Sequence, residues 1–338
     1  MNLGAGGDFA ALVQAAIDGK TKPVGALGRI EALAAQIAGV QGSLAPRMDG
    51  CTLVIFAADH GIAAEGVSVY PQAVTREMLG NFLAGGAAAN VFAATLGVKL
   101  CVVDAGVTGV PLAHPGLTDR RMGPGTANAR HGPAMSAETC AAALAAGAGV
   151  ARDAPGEALA LGEMGIANTA AAALLTHRLT ALPLEVLVGR GTGLDDAGLS
   201  RKRAVLAAAA ARVPGHLAPA TALAEFGGFE IAMMAGAMMA AAGEGRVVLV
   251  DGFIATASAM VALALEPGIR PALVFCHRSA EAGHGALLDW LGARPLLDLE
   301  MRLGEGTGAL LAWPLLRAAA AMLRDMASFE SAGVSGPA

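Results

Sequence analysis

Cys51-Thr52-Leu53-Val54-Ile55-Phe56-Ala57-Ala58-Asp59-His60-Gly61 is the stretch whose reading decides the fold. The run is nearly all apolar, without the alternation of a strand that has one wet face, and it stops abruptly at an acid, a histidine and a glycine. Such a segment reads as a strand buried on both sides, which is the condition of parallel sheet. Runs of the same kind recur: Lys99 to Asp104, Ala158 to Leu161 before Gly162-Glu163, Val186 to Val188 before Gly189-Arg190-Gly191, Val247 to Val250 before Asp251-Gly252, and Ala272 to Cys276 before His277. Ala-rich helical segments separate them. Alternating β and α predicts an α/β fold, a doubly wound, mostly parallel, Rossmann-like sheet with helices on both faces. Ligands of such sheets bind beyond the carboxyl ends of the strands, where all of these polar residues fall.

The ends of the chain read differently. Residues 9 to 40 predict helices around one turn, Lys20 to Arg29, in which Pro23, Gly25 and Gly28 break the pattern before Ile30, Leu33, Ala34 and Ile37 resume it at helical spacing. Residues 309 to 330 return to helix, and Ser331 to Ala338 reads as a frayed tail. The expected division is a smaller helical unit of residues 1–45 plus 309–338 and a large α/β domain of residues 46–308.

A chain of 338 residues can bury a large core, and its 55% hydrophobic content with only 4% aromatics predicts helix-on-sheet packing by small side chains. The net charge of −5, without a basic run, argues against a nucleic-acid binder. Met78 to Val98 is uncharged and long enough to span a bilayer, but it carries Asn81, Asn90, Thr95 and four glycines. It reads as a buried Ala-rich helix, so no membrane partner is expected. No positively charged segment followed by an apolar core opens the chain, which predicts a cytoplasmic protein. Cys51, Cys101, Cys140 and Cys276 have no CxxC spacing, which argues against a zinc site or disulfide framework, and three of them sit in or beside apolar runs, where Cys behaves as a small hydrophobe.

Chemistry is concentrated in glycine-rich turns. Leu303-Gly304-Glu305-Gly306-Thr307-Gly308 holds one acid between glycines and opens onto an apolar helix, so Glu305 is expected beside free amides and the positive end of that helix. Gly162-Glu163-Met164-Gly165-Ile166-Ala167-Asn168-Thr169 follows a strand and precedes an Ala-rich helix, a cradle for phosphate. Gly189-Arg190-Gly191-Thr192-Gly193 repeats the arrangement, followed by Lys202, a notable residue where four lysines stand against nineteen arginines. Together they suggest a phosphorylated ligand; singly, each is ordinary strand-to-helix turn chemistry. No G-x-G-x-x-G opens a βαβ unit and no Walker A loop exists. Asp195-Asp196 reads as a solvated helix start. Asp59, His60, Asp104, Asp251, His277 and His284 are metal-capable at strand ends, but no H-x-H or H-E-x-x-H spacing supports such a site. Ser279 reads as an anion-binding residue and His277 as a structural one.

Taken together, the motifs resemble the nicotinate-nucleotide–dimethylbenzimidazole phosphoribosyltransferase family. The likeness rests on Lys22 to Glu31, Ala58-Asp59-His60-Gly61, Gly85-Gly86-Ala87-Ala88, Val103 to Val107, Pro133-Ala134-Met135, Gly162 to Thr169, Gly227-Gly228-Phe229-Glu230, Leu249 to Phe253, His277 to Glu281 and Leu303 to Gly308, in family order from about residue 20 to about 330. The resemblance implies transfer of a phosphoribosyl group from nicotinate mononucleotide to 5,6-dimethylbenzimidazole or a related base, with inversion, in cobalamin biosynthesis. It implies catalytic roles for Glu305, as the base that takes the azole proton, and for Glu163. It further implies Gly165, Gly191, Lys202 and Ser279 around the nucleotide phosphate, and Tyr70, Met78, Met164 and Leu303 around the base. It calls for no metal and no cofactor, and carries the expectation of a homodimer. Tyr70 and Met78 depart from some relatives, and Gly-Arg-Gly-Thr-Gly is a variable version of its loop, which leaves Arg190 and Thr192 unassigned. Two other readings compete: a metal-dependent hydrolase on Asp59, His60 and Asp251, and a non-catalytic nucleotide- or base-binding partner of a related enzyme.

Overall fold

The computed structural model describes residues 5–335. Cys51–Ala58 is strand β1, buried at every position, and it lies inside a six-stranded parallel sheet. The other strands are β2 (Lys99–Gly106), β3 (Leu117–Asp119), β4 (Ala158–Met164), β5 (Val247–Val250) and β6 (Leu273–Phe275), in the spatial order β3-β2-β1-β4-β5-β6. The two shortest strands, β7 (His277–Arg278) and β8 (Leu297–Asp298), pair in parallel beyond the edge of the sheet. The order reverses between β1 and β4, so a crevice opens at their carboxyl ends, bounded by Asp59-His60 on one side and Glu163-Met164-Gly165 on the other.

Helices cover both faces. On one lie α1 (Ala5–Asp18), α2 (Arg29–Gln41), α3 (Ala73–Ala84) and α4 (Ala88–Leu96). On the other lie α5 (Ala137–Asp153), α6 (Asn168–Thr180), α7 (Leu184–Leu187), α8 (Asp196–Ala211), α9 (Pro219–Phe226), α10 (Phe229–Gly243), α11 (Phe253–Leu265) and α12 (Ala282–Trp290). The chain closes with α13 (Thr307–Asp325), back on the first face, and the single turn α14 (Phe329–Ala332). Alternate residues of β1 divide between two apolar clusters: Leu53, Ile55 and Ala57 face α1, α2 and α13, while Val54, Phe56 and Ala58 face α5, α6 and α10. Small side chains permit very close approach. A Cβ on Gly147 of α5 would overlap the Met233 carbonyl of α10, and one on Gly236 of α10 would overlap the Leu144 carbonyl of α5.

Three expectations need correction. Val186–Val188 is not a strand: α7 is a helical turn entered through Pro183, and Val186 is 46% exposed, whereas a strand inside the sheet would bury it. Gly189 to Gly193 therefore links two helices, and Asp195 caps the second by accepting from Gly198 N at 2.7 Å. Met78 to Val98 is not one buried helix. Gly85 takes φ +81° and ends α3, α4 starts at Ala88, and only 28% of the apolar window is buried. Of the tail, Ser331 and Ala332 are helical, the end of α14, which Ser328 caps, while residues 333–335 continue without helix or strand; residues 336–338 lie outside the described range.

The turn at Lys20 to Arg29 is held by a buried Lys22–Glu31 ion pair at 2.8 Å. Helices α1, α2 and α13 pack together, and their apolar cluster continues into the sheet. The division into residues 1–45 plus 309–338 and 46–308 remains a proposal.

Candidate active site

The cleft is built where the 304–308 turn lies across the end of β4. Glu305 has φ +62° between Gly304 (+84°) and Gly306 (+77°). A Cβ on Gly304 would overlap the Glu163 carboxylate, one on Gly306 would overlap the Leu53 side chain, and one on Gly162 would stand 2.5 Å from the Glu305 carbonyl carbon. Glycine at these positions brings the two acids together backbone against backbone. Both are buried. Burial raises the Glu305 pKa, an effect opposed by the Ala89 amide, and Glu305 Oε2 has no hydrogen-bond partner. Glu163 is pushed up to about 8, first by burial and then by the charges of Glu230 and Asp251, although Asn168 donates to its carboxylate.

The helix that supports Glu305 differs from the expected one. The first amides of α13 serve Asp251 instead, with Ala309 N donating to its Oδ1 at 3.0 Å. The amide at Glu305 belongs to Ala89, in the first turn of α4. The Gly85-Gly86 break, which ends α3 early, is what places that helix start against the acid.

Gly165, Gly191 and Ser279 line the same cleft with Thr169. Lys202 stands behind it: its ammonium is buried and donates to Thr169 Oγ1 at 2.9 Å, and burial lowers its pKa to about 8. A Cβ on Gly191 would come 3.5 Å from that ammonium. Ser279 is fixed by its own amide, which donates to His284 Nδ1 at 2.8 Å. That bond assigns the His284 tautomer, leaving Nε2–H to donate to Thr256 Oγ1 at 3.0 Å. Burial lowers the His284 pKa to about 3, so its ring is neutral.

Met164 and Leu303 also line the cleft, and Leu303 is 57% exposed. Met78 packs in the same apolar cluster as Met164 without lining the cleft, and Tyr70, 51% exposed, stands in the loop ahead of α3. The structure thus gathers Glu163, Met164, Gly165, Gly191, Ser279 and Leu303 on one cleft, with Glu305 and Lys202 directly behind its walls and Tyr70 and Met78 outside it.

The residues of the metal reading are engaged separately. Asp59 Oδ2 accepts from the Thr108 amide and hydroxyl, both at 2.8 Å; His60 Nε2 pairs with Glu230 Oε1 at 2.7 Å; Asp251 faces α13 and His277. No group of three metal-capable side chains converges among the described residues. Asn168, Thr169, Glu230 and Arg302 emerge as further site residues, the last donating to the Gly191 carbonyl at 3.0 Å and so tying two loops together. The first three stand inside quoted motifs, but nothing in their spacing told them from helix-start residues.

A family model described as phosphoribosyltransferase matches residues 6–334. The nicotinate-nucleotide–dimethylbenzimidazole phosphoribosyltransferase of Cupriavidus taiwanensis is 58% identical over 328 residues, 96% of this chain and 94% of that one. The protein of the same name from Thermus thermophilus is 49% identical over 322 residues, 94% of this chain and 96% of that one. The crystal structure of CobT from Thermus thermophilus superposes with a TM-score of 0.95 at 48% identity, covering 98% of this chain and all of that one. A match of that length and depth, on a cleft with paired buried acids and a glycine-lined polar end, places this chain in the nicotinate-nucleotide–dimethylbenzimidazole phosphoribosyltransferase family.

Proposed function

We propose that the protein transfers the phosphoribosyl group of nicotinate mononucleotide to 5,6-dimethylbenzimidazole or a related azole base, giving α-ribazole 5′-phosphate and nicotinate in cobalamin biosynthesis. The observation that carries this reading is the buried Glu305 carboxylate, presented by a glycine turn beside Glu163 with one oxygen unpartnered. As the base nitrogen bonds to the anomeric carbon, the bond to the nicotinate nitrogen breaks and its electron pair returns to the pyridine ring. Glu305 takes the N–H proton of the azole, so no positive charge builds up on the base. General-base assistance of this kind is worth roughly 10²–10⁴-fold. The raised pKa of Glu305 suits it to hold that proton.

Glu163 faces the centre that becomes oxocarbenium-like, where a carboxylate stabilises the developing charge. Its pKa of about 8 describes the site before substrate arrives; the pyridinium charge of the nucleotide favours the ionised form. Gly165, Gly191 and Ser279 receive the phosphate, with Lys202 supplying positive charge through Thr169. Met164 and Leu303 hold the flat base, since aliphatic and thioether walls suit an apolar ring; Tyr70 and Met78, outside this cleft, do not touch it in this chain alone. The proposal extends to a cytoplasmic homodimer, as the family resemblance implies; the exposed Tyr70, outside the cleft, is a residue that a second chain would cover.

Incubating the purified protein with nicotinate mononucleotide and the base, and following nicotinate release, tests the reading. Release that requires the base supports it. Base-independent hydrolysis of the nucleotide contradicts it.

A further inference from the structure

Behind the wall of the cleft, His60 and Glu230 form a buried pair that the proposed chemistry leaves unused. They are 1% and 0% exposed, and Nε2 meets Oε1 at 2.7 Å. Glycines make room for the pair on two sides. A Cβ on Gly228 would overlap the imidazole and the Glu230 carboxylate. One on Gly165 would meet the Ala58 carbonyl oxygen at 2.5 Å and stand 3.4 Å from the His60 ring. Gly165 lines the cleft, so the ring supports from behind the segment that carries Glu163.

The sheet register aims Glu163 toward the same pair. Glu163 lies opposite Phe56, whose side chain is on the face covered by α10, and Glu230 stands in the first turn of that helix. Residues opposite one another in adjacent strands send their side chains to the same face. Glu230 spends one oxygen on His60, and its Oε2 has no hydrogen-bond partner. Replacing a buried ion pair by apolar side chains of similar volume is often neutral for stability, so packing alone gives no reason for this one. We infer that His60 and Glu230 are positioning residues for Glu163: the ring braces the Glu163–Gly165 segment, and the pair fixes the charge that the acid faces. Burial, then the charges of Glu230 on α10 and Asp251 beyond β5, oppose ionisation of Glu163; the Asn168 side chain of α6 favours it, and Glu305 in the 304–308 turn opposes it again. His60 faces Glu230 and Asp59: burial opposes its charge, but the two acids together raise its pKa above the ordinary value. The Glu230 charge therefore holds the proton on Glu163, and His60 is the partner that holds Glu230 in place. That Glu163 serves the transfer rests on the phosphoribosyl reading above.

The test titrates the Glu163 carboxyl directly, without turnover. The protein is labelled with carbon-13 at glutamate Cδ, and Glu163 is assigned by the resonance lost in Glu163→Gln. In Glu230→Gln, with circular dichroism confirming fold, Glu163 is expected to ionise about one pH unit or more below its wild-type value, and Glu230→Asp, which keeps the charge, is expected to restore most of that difference. A wild-type titration in folded Glu230→Gln overturns the inference. The wild type supplies a second reading that loss of fold cannot obscure: with nitrogen-15 histidine, the His60 resonance is expected to show a step at the pH where Glu163 ionises, and that step is expected to vanish in Glu163→Gln. A His60 resonance without the step also overturns the inference. Turnover of the wild type with the base is measured in parallel: its absence contradicts the proposed function, while the two titrations still decide the role of the pair.

Discussion

At the residue scale the account turns on two acids whose proton affinities have been raised by their surroundings. Glu305→Gln keeps the shape and removes the base. It is expected to lower kcat by at least 10² while the affinity for nicotinate mononucleotide changes less than threefold. Wild-type turnover in that variant would remove Glu305 from its role.

Glu163 and Lys202 make a pH prediction. In the free protein Glu163 ionises near 8 and Lys202 also loses its proton near 8, so kcat/KM is expected to rise toward pH 8 and fall beyond it. Glu163→Gln should move the rising limb, leaving only that of Glu305, and Lys202→Met should abolish the falling one; a profile unchanged in both variants contradicts the assignments. The stability signs are opposite. Glu163 binds its proton more tightly folded than unfolded, where glutamate titrates near ~4.3, so its contribution is present below that pH and lost as pH rises through about 8. Lys202 binds its proton less tightly when folded, so its contribution is present above its ordinary value of 10.5 and lost as pH falls to about 8.

At the element scale, the strands were legible because β1, β4, β5 and β6 are buried almost throughout, and burial on both faces writes an unbroken apolar run. The three-residue β3 and the two-residue β7 and β8 were not legible, since pairing partners distant in sequence, not local pattern, make them strands. Val186–Val188 misled for the converse reason: three apolar residues suit a helical turn as well as a strand, and Pro183 decided it. Glu305 and Glu163 could be picked out from their glycines. That α4 rather than α13 supplies the amide at Glu305 could not, because it depends on how a break at Gly85 swings one helix toward a turn far along the chain.

The glycine turn gives this scale its prediction. Gly306→Ala places a Cβ at φ +77° against Leu53, and Gly162→Ala places one against the Glu305 backbone. Both are expected to cost about 1–3 kcal/mol in urea unfolding and to reduce kcat more than tenfold with Glu305 still present. Unchanged kcat would show that the turn does not set the position of the acid.

At the scale of the whole molecule, helices from both ends of the chain pack on one face of the sheet, and the 304–308 turn, which leads into α13, reaches across to β4. The active cleft therefore depends on the terminal helices being docked. Calorimetric unfolding is expected to be a single transition, with nicotinate mononucleotide raising its midpoint; two transitions, of which the nucleotide shifts only one, would show that the units separate without loss of the site.

The most direct test of the central claim mixes the protein, nicotinate mononucleotide and 5,6-dimethylbenzimidazole, and identifies the nucleotide product by chromatography, mass spectrometry and the anomeric proton resonance. The account predicts one nicotinate released per α-ribazole 5′-phosphate formed. A β-configured product, or bound nucleotide with no product from this or any related azole base, would contradict it.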